Sequence, residues 1–147
     1  MPASSPFRRL QRLNGREVAQ FAEAACALIL ATAAIKLLPF RTVVRSMSYG
    51  PAERGRGRAA ADEALEIRRA VKRAARRLPW RIVCFPEGLA AHWMLRRRGA
   101  PSLVHYGLRQ SESQLTAHVW VTLGETVVIG EETTNLHTGV AVFPQPS

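Results

Sequence analysis

From Arg16 to Leu38 the chain reads REVAQFAEAACALILATAAIKLL, a run of strong helix formers with no Gly or Pro. The pattern predicts a helix, capped at its start by Asn14 or Gly15 and ended by Pro39. Its most apolar part, Ala24 to Ile35, is twelve residues between Glu23 and Lys36. A membrane span needs roughly 20, so a buried helix is favoured over a membrane-associated one. The stretch SMSYGPAERGRGRAA, from Ser46, then reads as a mobile loop. A second helix follows from Ala60 to Leu78. Ala64, Ile67, Val71 and Ala74 or Ala75 recur on one narrow face, and acidic residues come early and basic ones late, as the helix dipole favours.

Leu78-Pro79 stops that helix, and Trp80–Val83 is a short connector or strand. A third helix is predicted over Phe85–Arg98. Pro86 suits its first turn, Glu87 its positive end, and Gly99 a left-handed cap after Arg96, Arg97 and Arg98. Leu89, Ala90, Ala91, Met94 and Leu95 give it a wide apolar face. After Ala100-Pro101 the period changes from helical to alternating. Leu103–Leu108 reads as a strand, RQSESQ as a polar loop, and LTAHVWVTL and TVVIG as two strands joined at Gly124-Glu125. VAVF near the end adds one more short strand. Helices first and a small antiparallel sheet after them make an α+β fold.

At 147 residues with an apolar fraction of 47%, the chain supports one folded domain with a single core. Residues 1–13 read as a flexible basic N-terminus, and 14–147 as a single domain. Its helical part covers about 14–78, and the last helix and sheet cover about 80–147. The formal charge is +10, and all but two of the basic residues are Arg. Such a charge suits nucleic acid, an acidic peptide or an anionic surface, and says nothing of fold. The second helix carries many of these cations, and a solvated basic face accounts for them without a partner. Two cysteines are too few for a disulfide scaffold, and MPASSPFRRLQRL lacks the apolar core of a signal peptide. A reduced cytoplasmic protein without a transmembrane span is expected.

Cys84 stands where the connector gives way to the third helix. A helix N-terminus favours a thiolate through its unpaired N–H groups, and the same groups can hold an oxyanion. Cys26, inside the first helix, reads as a small buried hydrophobe. His118 begins the strand HVWVTL and supplies the imidazole that a thiol nucleophile needs as base and acid. With Gly124-Glu125 as a two-residue turn, Leu123 faces Thr126 and His118 faces Glu131. A bulge at Gly130 would bring Glu132 there instead. Either carboxylate would orient the imidazole; Asn135 is a further candidate. His92 is two helical turns from Cys84, and His105 on the preceding strand reads as structural. His137 is in the tail. The spacings hold no metal motif, so neither metal nor cofactor is expected.

The run VCFPEGLAAHWMLRRRGAPSLVHYGL, followed by LTAHVWVTLGETVVIGEE and a terminal FP, resembles the lasso-peptide biosynthesis B proteins. It is most similar to their C-terminal, transglutaminase-like protease part, B2. Cys84, LRRRG and AHVWV match that pattern in order and spacing over Trp80–Glu132. The resemblance implies a transglutaminase-like, papain-like cysteine protease core that removes the leader from a lasso precursor peptide. Cys84 is then the nucleophile, His118 the general base and acid, and Glu131 or Glu132 the third member. It also implies a separate leader-recognition protein, B1, because the segment before Trp80 has no β-rich part. The product would pass to an ATP-dependent macrolactam synthetase, the C protein, so any dependence on ATP would come through such partners.

Three other functions fit parts of the sequence. An amine instead of water at the thioester would make the protein a transglutaminase-like acyltransferase. The charge alone suits a nucleic-acid-binding module, but no exposed aromatics interleave with the cations, so no nucleic-acid partner is expected. A scaffold with an inert Cys84 is the third.

Overall fold

The computed structural model describes residues 14–48, 57–130 and 138–144. Among these residues, four helices precede four strands: α1 (Gly15–Leu37), α2 (Phe40–Met47), α3 (Gly57–Ala75), α4 (Cys84–Arg97), β1 (Ser102–Ser111), β2 (Gln114–Leu123), β3 (Thr126–Ile129) and β4 (Thr138–Phe143). The fold is α+β, as the switch in periodicity predicts.

Asn14 caps α1 by accepting from the Glu17 N–H while the Glu17 carboxylate accepts from the Asn14 N–H, a reciprocal capping box. Pro39 does end this helix, but it also begins another. As the N-cap of α2 it starts an eight-residue helix that buries Val43 and Met47, in a stretch that the sequence pattern leaves unassigned. The expected flexible N-terminus, most of the expected loop, Glu131, Glu132, Asn135 and His137 lie outside the described residues.

α1 and α3 pack against each other and against α4, and α4 lies in turn on the sheet. Ala24, Ala27, Leu28 and Ala31 of α1 meet Ala64, Ile67, Ala70, Val71 and Ala74 of α3 in one core with Leu89–Ala91, Met94 and Leu95 of α4. α4 is therefore wrapped by protein over most of its length, from Pro86 to Arg96. Its end is a Schellman turn: Gly99, at φ 77°, and Ala100 donate back to the carbonyls of Arg96 and Leu95. The chain then enters β1 directly.

Cys26 is exposed, not buried. The buried face of α1 passes through residues 24, 27, 28 and 31, and position 26 lies on its other side with exposed Ile29 and Leu30. α1 is 23 residues long, with a mean hydropathy of 1.8 over its most apolar window, of which 28% is buried. By length and composition alone it is long enough to cross a membrane, because helix continues on both sides of the twelve-residue apolar run. Here its alanine face is packed on α3 and α4.

The sheet is antiparallel in the order β3-β2-β1-β4. RQSESQ is not a loop. The β1–β2 ladder continues to Ser111–Gln114 and turns at Glu112-Ser113. The tip is exposed on both faces, so it carries none of the apolar alternation that marks a strand.

Charged side chains tie the layers. Arg98 holds Glu23 of α1 with two nitrogens, at 2.6 and 3.0 Å, and Lys72 of α3 meets Glu87 of α4 at 2.8 Å. The Glu23 hydrogen bonds raise the Arg98 pKa above its already high ordinary value, more than burial lowers it. On the other flank α4 grips the end of α2. Trp93 donates to Ser46 Oγ, Arg96 to the Ser48 carbonyl, and fully buried His92 gives its Nε2–H to the Met47 carbonyl at 2.7 Å. With Nε2 protonated, Nδ1 accepts from Ser102 at 2.8 Å.

Burial, the largest cause, pushes the His92 imidazole down from 6.5 to about 4. The Met47 bond opposes the fall and the Arg96 charge adds to it. Between those values the unfolded chain binds a proton that the folded one refuses. This contribution to stability is whole above about pH 6.5 and is lost as pH falls toward 4, up to about 3 kcal/mol. Urea unfolding across that range should show the loss in the wild type and a flatter profile in His92→Asn.

Candidate active site around Cys84

Cys84 is the first residue of α4, after Val83, whose side chain makes no capping hydrogen bond. The first N–H groups of a helix have no acceptor within it, so they face outward beside the thiol. Pro86 lacks an N–H and loses nothing at this position. Cys84 is half-buried and unbridged, and it packs against the core. Glu87, one turn on, would set a negative charge near a developing thiolate. Lys72 pairs with it at 2.8 Å and balances that charge.

The position of Cys84 over the sheet follows from two contacts further along the same face of α4. Gly88, four residues on, abuts Val119, and His92, four further, bonds to Ser102, which pairs with Leu123. Each turn of α4 thus advances along β2 in the same direction. Cys84, one turn back from Gly88 and about 6 Å from it along the axis, therefore lies from Val119 toward the Gln114 end of β2. A Cβ on residue 88 would lie 2.9 Å from Val119 Cγ1. Helix and strand approach this closely because residue 88 has no side chain. A glycine inside a helix costs about 1 kcal/mol relative to alanine, so its presence was the signal in the sequence for this contact.

His118 is half-buried on β2, and its Nε2–H donates to the Gly130 carbonyl at 3.1 Å. A carbonyl can only accept, so a neutral ring then carries its basic lone pair on Nδ1. Gly107 is its cross-strand neighbour on β1. The ring stacks at 6.2 Å on Trp120, which in turn stacks on His105 at 5.3 Å. His105 shares a hydrogen bond with Thr122, and its burial lowers its pKa. Its partners fit the structural role read from the sequence.

Val119 and Val121 point to α4, so the alternation of the strand turns His118 and Trp120 to the other face. The Cys84 thiol at the start of α4 and the His118 imidazole are therefore not apposed across one face of the sheet. The register also departs from the simple count. Leu123 faces Thr126 and Thr122 faces Val127, but Val121 then faces Ile129. The bulge comes at Val128, two residues before the position considered from sequence, and Gly130 follows at φ 87°. A Cβ on residue 130 would be 2.8 Å from both the Trp120 Cβ and the Val119 carbonyl. Among the described residues, no cluster of His, Cys, Asp or Glu could hold a metal ion.

A half-buried cysteine opening a central helix that packs on an antiparallel sheet defines a class of cysteine-centred α+β domains. Residues 27–142 match the model of the transglutaminase-like superfamily, and the chain belongs to that family. Members of this superfamily are typically cysteine-dependent enzymes. No curated protein and no solved structure matched the chain.

Gly130→Ala should lower stability by about 2 kcal/mol or more, from the left-handed backbone and the close contacts together. The imidazole resonances of His118 should shift with it. Unchanged chemical denaturation and unchanged resonances would remove Gly130 from the positioning of His118.

Proposed function

We propose that the protein is a cysteine peptidase that cuts the leader from a lasso precursor peptide, with Cys84 as nucleophile and His118 as general base and acid. The observation that carries this reading is the superfamily match over residues 27–142, with Cys84 as the first residue of its buried helix. The likeness of Trp80–Glu132 to the lasso B2 proteins supplies the substrate.

His118 Nδ1 takes the thiol proton as the sulfur attacks the scissile carbonyl, and the helix-start N–H groups stabilise the oxyanion. Collapse breaks the C–N bond, and the imidazolium returns the proton to the departing amine. A thioester remains. Water then attacks it, losing a proton to Nδ1. The C–S bond breaks, leaving a leader carboxylate and a restored thiol. The thiol and Nδ1 must move into reach for this. His118 faces away from α4, so its side chain has to turn toward the start of that helix when substrate binds.

For the third member, the bulge at Val128 moves the count of positions opposite His118 from 131 to 132. This favours Glu132 as the orienting carboxylate, with Glu131 as the alternative; either would accept from Nε2–H in place of the Gly130 carbonyl that now does so, or alongside it. A separate B1 protein presents the leader, and the freed core passes to the macrolactam synthetase. This work would take place in the cytoplasm, without a cofactor of the protease's own and without nucleic acid.

Cleavage of a cognate precursor, with B1 present, is read by mass spectrometry. Wild type should cut at the leader–core junction, Cys84→Ala should not, and His118→Ala should be slower by at least about 100-fold. Glu132→Gln should slow it more than Glu131→Gln. Equal cleavage by wild type and Cys84→Ala would end the proposal. A product amide formed with an added amine, in preference to the acid, would favour the acyltransferase.

A further inference from the structure

A cleft of about 490 Å³ opens beside the start of α4. Its wall includes Ile82, two residues before Cys84, and Glu87, three after it, so the cleft adjoins the thiol-bearing helix end, although Cys84 is not itself part of its lining. Leu78, Pro79, Trp80 and Ile82 form its apolar side, and Trp80 keeps 40% of its surface exposed. Lys72, Arg76 and Arg81 supply its cations.

These charges do not cancel. Glu87 is the one carboxylate among the lining residues, and it is bound to Lys72 at 2.8 Å. Arg76 and Arg81 remain as an exposed positive pair flanking Trp80. An open cleft with an aromatic floor and two surplus guanidinium groups suits an extended peptide that sets a carboxylate beside a bulky apolar side chain. A basic peptide would meet like charge, and a wholly apolar one would leave the arginines unused.

We infer that this cleft is a substrate subsite, in which Arg76 and Arg81 select an acidic residue and Trp80 packs an apolar neighbour next to the bond presented to Cys84. The inference rests on the peptidase reading and adds the class of substrate. Arg76 and Arg81 act in binding, by steering and holding an anion close to the thiol, and have no part in the bond changes.

The test uses alkylation of the full-length chain, which needs no knowledge of the natural substrate. Cys84 and Cys26 are labelled with iodoacetate, an anion, and with iodoacetamide, its neutral counterpart, and each site is quantified by peptide mass spectrometry. The iodoacetate-to-iodoacetamide rate ratio should be higher at Cys84 than at Cys26. It should fall about threefold to tenfold at Cys84 alone in Arg76→Gln/Arg81→Gln, and should also fall with added salt. Both arginines are exposed, so the variant should fold as the wild type does.

A capped pentapeptide with adjacent Glu and Leu should protect Cys84 in the wild type. Its Lys-for-Glu counterpart should not, and Trp80→Ala should weaken the protection. An unchanged ratio in the double variant, or equal protection by both peptides, would overturn the inference. The two readings fail separately. A protein that cuts its precursor with an unchanged ratio defeats the subsite alone. A shifted ratio at Cys84 in a protein without peptidase activity defeats the peptidase reading alone.

Discussion

The contact between Gly88 and Val119 sets how closely helix and sheet can approach, and the site depends on it. α4 is enclosed by α1 and α3 on one side and by β1 and β2 on the other, so its position is fixed by packing from both. A methyl group at residue 88 would meet Val119 Cγ1 at 2.9 Å. Valine is stiff about its first torsion and cannot turn aside cheaply. The sheet would have to retreat, and the start of α4 would move relative to β2. On the other edge of β2, Gly130 presses its backbone against Val119 and Trp120. Two glycines thus hold the strand of His118 in place from two directions.

Much of this was legible in the sequence because it depends on local rules. The α3 face of Ala64, Ile67, Val71 and Ala74 and the α4 face of Leu89–Ala91, Met94 and Leu95 are both buried, since helical periodicity records what each side of a helix meets. Gly99 caps α4 because no other residue enters the left-handed region so easily. What was misread depends on non-local choices. Pro39 is as good a beginning as an end, and only the burial of Val43 and Met47 shows which side of it is helical. Cys26 was misplaced because a helix that is apolar nearly all round does not reveal which face is covered. The extent of the β1–β2 hairpin was hidden because polar residues on both faces leave no alternation.

At the site, the sequence located Cys84 at the helix start but not the direction in which that helix crosses the sheet. That direction follows from Gly88 and His92, whose partners lie on other elements. The register of β3 was the most fragile expectation. One extra residue at Val128 moves every later position to the other face, and nothing in TVVIG announces it. The Lys72–Glu87 pair was also missed, because each member fits its own helix for a local reason.

The grip of α4 on the end of α2 has a consequence for how the chain closes on itself. His92, Trp93 and Arg96 reach partners 45, 47 and 48 residues earlier. Their three bonds close what is in effect a single loop, and its entropy is lost once, whichever bond forms first. Removing any one bond leaves the loop closed by the other two, and the burial of Val43 and Met47 in the core that α4 shares closes it as well. Their contributions are therefore cooperative and do not sum. The helix that presents the thiol and the turn that follows α2 become ordered in one event.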